Sequence, residues 1–284
     1  MNTYLYMDNT WTQYNSALIS NLLPHQSPSN NDIQLVKQYL NKGKSYFARY
    51  TSNFDCGHKT EWWYCIKDNG IDINKLSSKQ RYRINKGLKY VSIRKIEPKL
   101  FAKDLYTVAF NSFEEYPNEY RPHIDFDHFL MDINGFENKN CEVFASFDKQ
   151  NGKLCGYSVC NIKDNVVFLS VVKVDPEYLD KEVNAAIGYF ICDKYLNGET
   201  TIKYICDGER NIRHQTNYQE YLVKTFGFRY AYCQLNIIYL NYVKVLIYIL
   251  YPFSSIIHKI AHLSPFIYNI SCVLKQEKIH RSFI

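Results

Sequence analysis

Residues 166–177 read VVFLSVVKVDPE, and this stretch decides the fold together with residues 178–239. Its first nine residues are mostly β-branched or apolar and have turn-forming residues on both sides, which predicts a strand buried on both faces. Asp175 and Pro176 then favour the start of a helix, and apolar residues continue at helical spacing up to Gly198. A strand therefore leads directly into a helix.

The same alternation occurs once more before residue 239. Residues 203–206 (KYIC) predict a second short strand, and residues 213–226 predict a helix with one apolar face. Gly227 is the predicted end of that helix, because glycine enters the left-handed conformation at little cost. Residues 229–239 (RYAYCQLNIIY) return as a strand.

Segments upstream extend this order of elements. They predict a strand (91–96), two helices (98–116 and 125–133) and a hairpin of two strands (142–147 and 154–161). The full order of strands and helices resembles the GNAT superfamily of acyltransferases over residues 90–240. The predicted class is α/β (α+β), a GNAT-like mixed central sheet flanked by helices. An N-terminal extension (1–89) and a hydrophobic helical tail (241–284) complete the predicted domains.

The resemblance implies an acyl donor, with acetyl-CoA or another acyl-CoA as co-substrate and no tightly bound cofactor. GNAT enzymes bind the donor where the fourth and fifth strands separate. The corresponding donor-binding residues here are Ser170, Val171, Val172, Lys173, Val174 and Asn211. The chain differs from the family at residues 178–186, which contain no glycine and two acids where a glycine-rich turn usually binds pyrophosphate.

A second difference concerns the proton donor. Many GNAT enzymes have a tyrosine four residues before the glycine that ends the last helix, and Val223 occupies that position here. Tyr218 and Tyr221 lie on the same predicted helix and are the candidate replacements. Packing is the alternative role for both, because the chain contains 26 tyrosines.

A basic segment supports a narrower resemblance. Residues 73–89 (INKLSSKQRYRINKGLK) combine a leucine-serine turn with a basic helix, and this is similar to a segment of the Fem-like aminoacyl and acyl transferases. That GNAT subgroup lacks the glycine-rich turn and takes other donors. Arg81, Arg83 and Lys86 are predicted to bind the phosphate of a donor or of a lipid head group, and a solvated basic face is the alternative.

Residues 206–217 (CDGERNIRHQTN) form the candidate catalytic loop, because the corresponding loop of a GNAT fold faces the acceptor. His214 is the predicted general base at neutral pH, with Asp207 or Glu209 to orient it. A capping and surface role for the loop is the alternative. The remaining predicted acceptor contacts are Arg210 and two residues of the aromatic run 61–64 (EWWY), Glu61 and Trp62.

Composition indicates the size of the core, the cellular compartment and the classes of partner. The chain has 284 residues, is 46% hydrophobic and can bury a sizeable core. Its nine cysteines are scattered singly without a CxxC pair, which predicts reduced thiols in a cytoplasmic protein and no metal site. The net charge of +6 is modest, so nucleic acid is not an expected partner unless aminoacyl-tRNA is the donor.

The C-terminal tail carries much of the positive charge. From Asn236 onward the only acid is Glu277, against five lysines and arginines. Residues 245–257 are uncharged and apolar, but these 13 residues are fewer than the roughly 20 that cross a bilayer. Residues 242–284 are therefore predicted to lie on the inner face of a membrane as a peripheral contact. A hydrophobic arm packed on the domain or on a second subunit is the alternative.

The sequence leaves two function classes. The first is an acyl or aminoacyl transferase that modifies an amine or hydroxyl of a sugar, a lipid-linked intermediate or another small acceptor. The second is a non-catalytic GNAT-like binding or scaffold protein at the membrane, which the missing glycine turn favours.

Overall fold

The computed structural model describes residues 5–6, 10–43, 45–116, 121–138, 140–198, 201–212 and 217–283. The strands are β1 (Leu5–Tyr6), β2 (Trp11–Tyr14), β3 (Ala17–Ser20), β4 (Phe47–Ser52), β5 (Trp62–Lys67), β6 (Val91–Ile96), β7 (Cys141–Asp148), β8 (Leu154–Lys163), β9 (Val166–Val174), β10 (Tyr204–Glu209) and β11 (Arg229–Tyr239). The helices are α1 (Asn30–Lys42), α2 (Ser78–Tyr90), α3 (Ala102–Glu114), α4 (Phe126–Asn138), α5 (Val183–Leu196), α6 (Tyr218–Phe226), α7 (Asn241–Leu250), α8 (Ser254–Lys259) and α9 (Pro265–Arg281).

The chain forms two compact units. The terminal unit consists of Met1–Tyr64, Glu209–Thr216 and Tyr230–Ile284, and the central unit consists of Cys65–Gly208 and Asn217–Arg229. These units cut across the predicted boundaries at residues 89/90 and 240/241. The reason is that β4, near the N-terminus, pairs antiparallel with β11 of the terminal unit, from Phe47 opposite Tyr239 to Ser52 opposite Gln234.

The terminal unit contains a sheet in the order β1-β2-β3-β4-β11. Helix α1 covers it with the apolar residues Val36 and Leu40, which pack on buried Trp11. A capping box between Ser29 and Asp32 fixes the start of α1, so the first turn of the helix has side-chain partners for its free backbone N–H groups. The capping box therefore defines where α1 begins, and Val36 and Leu40 define its buried face.

Helices α7 to α9 belong to the terminal unit as well. Val243 and Ile247 of α7 pack on Leu274 of α9, which is fully buried. Ile279 of α9 joins the core cluster of Leu235. Within the described part of the chain, none of the helices is long and apolar enough to cross a membrane.

The central unit is built on the sheet β10-β9-β8-β7-β6. Its neighbours run antiparallel except β9 and β10, which are parallel and joined by α5. Helix α3 places Leu105, Val108 and Ala109 on one face of this sheet, where they pack with buried Val143 and Val159. The mixed α+β architecture and the order of elements from β6 to β11 confirm the predicted GNAT-like fold class.

Helices α5 and α3 begin later than predicted, and strand β9 is less buried than predicted. Helix α5 begins at Val183, because residues 176–178 form a 3-10 turn and Glu182 takes a left-handed conformation with φ 59°. Helix α3 begins at Ala102, after another 3-10 turn. Strand β9 is not buried on both faces along its whole length, because its middle residue Ser170 is exposed to solvent.

Candidate active site

Strands β9 and β10 pair only at their beginnings. The parallel register joins Tyr204–Cys206 to Val166–Phe168, whereas β9 continues to Val174 and β10 continues to Glu209. Beyond Phe168, the edge of β9 next to β10 therefore has no strand pairing with β10. This opening is the position at which the sequence predicted a donor groove.

A β-bulge lies just beyond the last paired residue of β9. The register with β8 steps from Val159 opposite Val171 to Cys160 opposite Leu169, so Ser170 is the extra residue. A bulge leaves backbone groups of the extra residue outside the ladder and bends the strand. Ser170 therefore lies outside the regular β8–β9 register, two residues beyond the last β9 residue that pairs with β10, and it is exposed to solvent.

An apolar cavity lies at the opening, within the central unit. Strand β9 contributes two of the lining residues. Helices α5 and α6 and Phe228 contribute the others. The lining residues are Leu169, Val172, Gly188, Ile191, Cys192, Tyr218, Leu222 and Phe228. Gly188 is required here because a Cβ at its position would lie 2.4 Å from Cζ of Phe226.

Asp207 follows the last paired residue of β10. Burial raises the pKa of its carboxyl to about 7, and a hydrogen bond from the side chain of Gln219 partly opposes that shift. A carboxyl with such a pKa exchanges protons at neutral pH, which an ordinary exposed aspartate does not do. Asp207 therefore has the chemistry of a general base in its own right.

Two tyrosines of α6 lie in the same region. Burial raises the pKa of Tyr218, and the charge of Asp207 raises it further, so the Tyr218 hydroxyl stays protonated. The ring of Tyr221 stacks on that of Tyr218 with 5.9 Å between their centroids. Among the described residues, the buried Tyr221 hydroxyl has no hydrogen-bond partner, and burial raises its pKa as well. A buried hydroxyl of this kind is an unused donor.

Arg83 of α2 connects the basic helix to these tyrosines. Its guanidinium lies 5.1 Å from the centroid of the Tyr221 ring and donates from Nε to Glu182 at 2.9 Å. Glu182 stands at the N-terminus of α5. The arginine predicted to bind phosphate thus holds a carboxylate of its own chain at a helix end that favours anions. Gln80 fixes α2 by donating to the carbonyl of Lys224 at 2.8 Å.

The other predicted donor-binding residues lie on different sides of β9. Val172 lines the cavity, whereas Val171 packs on the core beneath α3 and Val174 is buried. The ammonium of Lys173 lies 3.8 Å from the centroid of the Phe113 ring, a cation–π contact away from the cavity. Asn211 is exposed in the terminal unit.

The predicted acceptor contacts are mostly engaged in structural interactions. Arg210 of the terminal unit pairs with Glu61 at 2.6 Å, and Trp62 is a core residue with 1% exposure. Its ring is enclosed, so a contact of substrate with Trp62 stays a prediction that would require the ring to be uncovered. Arg81 donates to the carbonyls that precede α2, while Lys86 is half-buried on that helix.

Glu209 and His214 are the other two predicted catalytic residues of the loop. The Glu209 carboxylate, in the terminal unit, forms an ion pair with Arg49. His214 lies outside the described residues, so its catalytic role stays a prediction. Within the described ranges, no cluster of three or more His, Cys, Asp or Glu side chains is arranged to hold a metal ion.

Sequence reasoning missed Glu182, Gln219 and Gly188. In the sequence, Glu182 stands out only as an acid in place of glycine, and its pairing with Arg83 joins residues that are far apart along the chain. For the contact of Gln219 with the Asp207 carboxyl the sequence offers no signal, because the two residues are brought together only by the packing of α6 near the end of β10. Gly188 was a detectable signal, since an isolated glycine within a helix often marks close packing.

Comparisons with solved structures support the fold. No protein-family model matches the chain, and no curated protein sequence matches it. The chain is similar to FemX, with a TM-score of 0.58, 8% identity, and coverage of 84% of this chain and 83% of that chain. It is also similar to the C-terminal domain of an Agrobacterium fabrum protein described as a putative lysylphosphatidylglycerol synthetase, with a TM-score of 0.52, 7% identity and coverage of 83% and 84%. L-PGS from Bacillus licheniformis gives a TM-score of 0.51, 8% identity and coverage of 82% and 83%. The fold is therefore GNAT-like and Fem-like.

Proposed function

We propose that this protein transfers an acyl or aminoacyl group from an activated donor to an amine or hydroxyl of a small acceptor. The observation that carries the proposal is the separation of β9 and β10 beyond Phe168 and Cys206, next to an apolar cavity and to Asp207. The opening offers a donor the unpaired edge of β9, and the carboxyl suits the proton transfer that attack requires.

The reaction needs one base and good positioning. The acceptor nitrogen or oxygen attacks the acyl carbonyl carbon, its proton passes to the ionised carboxylate of Asp207, and the bond to the leaving group breaks. The leaving group departs with the electron pair and takes up a proton. Tyr218 is the candidate donor of that proton, because its hydroxyl is protonated and its side chain lines the cavity.

The donor class is constrained by the N-terminus of α5. In this chain Glu182 stands at that helix end without a side-chain hydrogen bond to it, and its carboxylate pairs with Arg83 at 2.8 Å. A pyrophosphate bound there would lie next to this carboxylate, and the two anions would repel each other. We therefore favour donors held at the opening between β9 and β10, and acetyl-CoA, longer acyl-CoA and aminoacyl-tRNA are the forms to compare.

The acceptor is proposed only as a class. One of the similar structures is described as a lysylphosphatidylglycerol synthetase, a name that refers to a modified lipid. A lipid-linked amine or hydroxyl is therefore the acceptor to test first, and a free amino sugar is the second.

Donor binding by the purified chain is the first test. Isothermal calorimetry with acetyl-CoA, a longer acyl-CoA and aminoacyl-tRNA should give binding for at least one donor. Ser170→Trp should weaken that binding because it blocks the opening from an exposed position, whereas Met131→Trp on exposed α4 should not. If no donor binds, the protein is better described as a non-catalytic scaffold, which the carboxylate beside the N-terminus of α5 favours.

The second test separates the two candidate bases. Once an activity is found, Asp207→Asn should lower kcat on the order of 10²-fold or more, and the wild-type rate should rise with pH through about pH 7. His214→Ala, compared in parallel, tests the base that the sequence predicted. Loss of activity in His214→Ala together with wild-type turnover in Asp207→Asn would assign the base to His214.

A further inference from the structure

Large apolar side chains are concentrated on one exposed segment of the terminal unit, residues 242–266. The most exposed of these side chains are Tyr248 at 75%, Phe266 at 71%, Leu263 at 66% and Tyr242 at 63%. We call the exposed apolar side chains of this segment the tail face. Its remaining members are Val245, Leu246, Ile249, Phe253, Ile256 and Ile260.

The tail face is exposed even though the helix that carries much of it, α7, is packed on the terminal unit. Helix α7 already buries Val243 and Ile247 against Leu274 of α9. Val245, Leu246 and Ile249 of the same helix point outward with exposures of 60%, 49% and 56%. The helix is therefore apolar on two sides, and the terminal unit uses only one of them. An exposed apolar surface of this kind marks an interaction site.

Positive charge accompanies the tail face. Lys244, Lys259, Lys275 and Lys278 are all exposed. Burial and then the charges of Lys275 and Lys278 lower the pKa of His258 in α8, so these two cations of α9 lie close to α8. The only acid from residue 236 onward, Glu277, is buried and accepts hydrogen bonds from Tyr239 and Arg281. The segment therefore presents cations without an exposed acid.

We propose that the tail face docks on the surface of an anionic lipid bilayer. Aromatic and aliphatic side chains with lysines around them match the boundary between acyl chains and anionic head groups. A second copy of the chain fits less well, because a two-fold contact brings the same patch of each copy together. Exposed lysines such as Lys244 and Lys259 would then approach their equivalents with like charge.

Vesicle co-sedimentation of the full-length protein tests the proposal. The protein should pellet with vesicles of phosphatidylcholine and phosphatidylglycerol, and much less with phosphatidylcholine alone or at high salt. Leu246→Glu with Ile249→Glu should abolish pelleting. Met131→Glu, a matched control at a 63% exposed site on α4, should leave it unchanged. Lys244→Glu with Lys259→Glu should weaken binding by at least about tenfold, whereas Lys79→Glu on α2 should not.

Circular dichroism of every variant keeps the comparison interpretable, because these side chains are exposed and their replacement should preserve the helix content. The proposal is overturned if folded wild-type protein stays in the supernatant with anionic vesicles, or if Met131→Glu removes binding as strongly as the tail variants. It is also overturned if sedimentation velocity without lipid gives a dimer that Leu246→Glu dissociates. The tail face would then be a contact between two copies of the chain. None of these outcomes depends on acyl transfer, so the proposed function is tested separately.

Discussion

Burial raises the pKa of the Asp207 carboxyl from 3.8 to about 7, and this shift has a consequence for stability. Between about pH 4 and pH 7 the folded protein retains a proton that the unfolded chain has released. The folded state therefore loses stability as pH rises through this interval, and the loss is complete above about pH 7. The difference between the two pKa values corresponds to about 4 kcal/mol.

Asp207→Asn should remove this pH dependence because an amide does not ionise. The free energy of unfolding of the variant relative to wild type should rise by several kcal/mol between about pH 4 and about pH 7, and should change little above that. Urea unfolding at several pH values measures the difference. Asp180→Asn, at an exposed carboxyl, is the control for the effect of the substitution itself. A constant difference for Asp207→Asn would show that its carboxyl is solvated.

Tyr221→Phe tests the buried hydroxyl that lacks a partner within the described residues. Its removal abolishes an unsatisfied polar group, so the free energy of unfolding should stay the same or rise by about 1 kcal/mol. Tyr195→Phe is the matched contrast, because the Tyr195 hydroxyl donates to the Glu142 carboxylate and its loss should cost about 1.5–3 kcal/mol. Equal destabilisation by both substitutions in urea unfolding would mean that the Tyr221 hydroxyl has a partner in solution.

At the scale of elements, two glycines set how closely helices approach α5. A Cβ at Gly87 of α2 would lie 2.4 Å from the carbonyl oxygen of Glu182. Gly188 of α5 has the same role toward α6, where the ring of Phe226 occupies the space of the missing Cβ. Both contacts support the site, because α2 carries Arg83, and α6 carries Tyr218 and Tyr221.

Gly188→Ala should therefore destabilise the central unit even though alanine favours helices. The new methyl group must displace the buried ring of Phe226, and overpacking of this kind costs about 1–3 kcal/mol. Gly135→Ala in α4 is the matched control, because a Cβ there meets nothing within 4 Å and should stabilise the helix by roughly 0.5–1 kcal/mol. Thermal unfolding of both variants decides the point. A stabilised Gly188→Ala variant would contradict the close packing of α5 on α6.

The same elements indicate what sequence can and cannot predict. Strand β9 and the end of α6 at Gly227 were predictable because local signals, a β-branched run and a glycine with φ 72°, determine them. The start of α5 was not predictable, because Glu182 is left-handed and pairs with Arg83 of α2, a helix that is far away in the sequence. For the site, the sequence predicts Asp207 only as a residue that orients His214, because its raised pKa depends on burial that only the packed structure supplies.

At the scale of the whole molecule, each compact unit has its own core. The core of the central unit contains residues such as Ile133, Val143 and Val159, all of which lie between residues 96 and 171. The terminal unit depends on both ends of the chain. Helix α9 buries Leu274 and Ile279, and His280 contacts the backbone carbonyl of Leu235 at 2.8 Å. Helix α9 therefore belongs to a core, even though residues 242–266, which include its first turn, expose the tail face.

Truncation after Leu240 should unfold the terminal unit and leave the central unit folded. The deletion removes Leu274 and Ile279 from buried positions, each worth about 2–5 kcal/mol, together with Glu277 that Tyr239 contacts. That sum is comparable with the 5–15 kcal/mol that stabilises a typical domain. Hydrogen exchange should accordingly become fast in β4 and β11 while β7 and β8 stay protected. Truncation after Arg281 is the control and should preserve protection throughout, because α9 remains whole. If the β4 and β11 amides stay protected in the protein truncated after Leu240, α9 is dispensable for the core of the terminal unit. If β7 and β8 lose protection in that protein, the central unit does not fold independently.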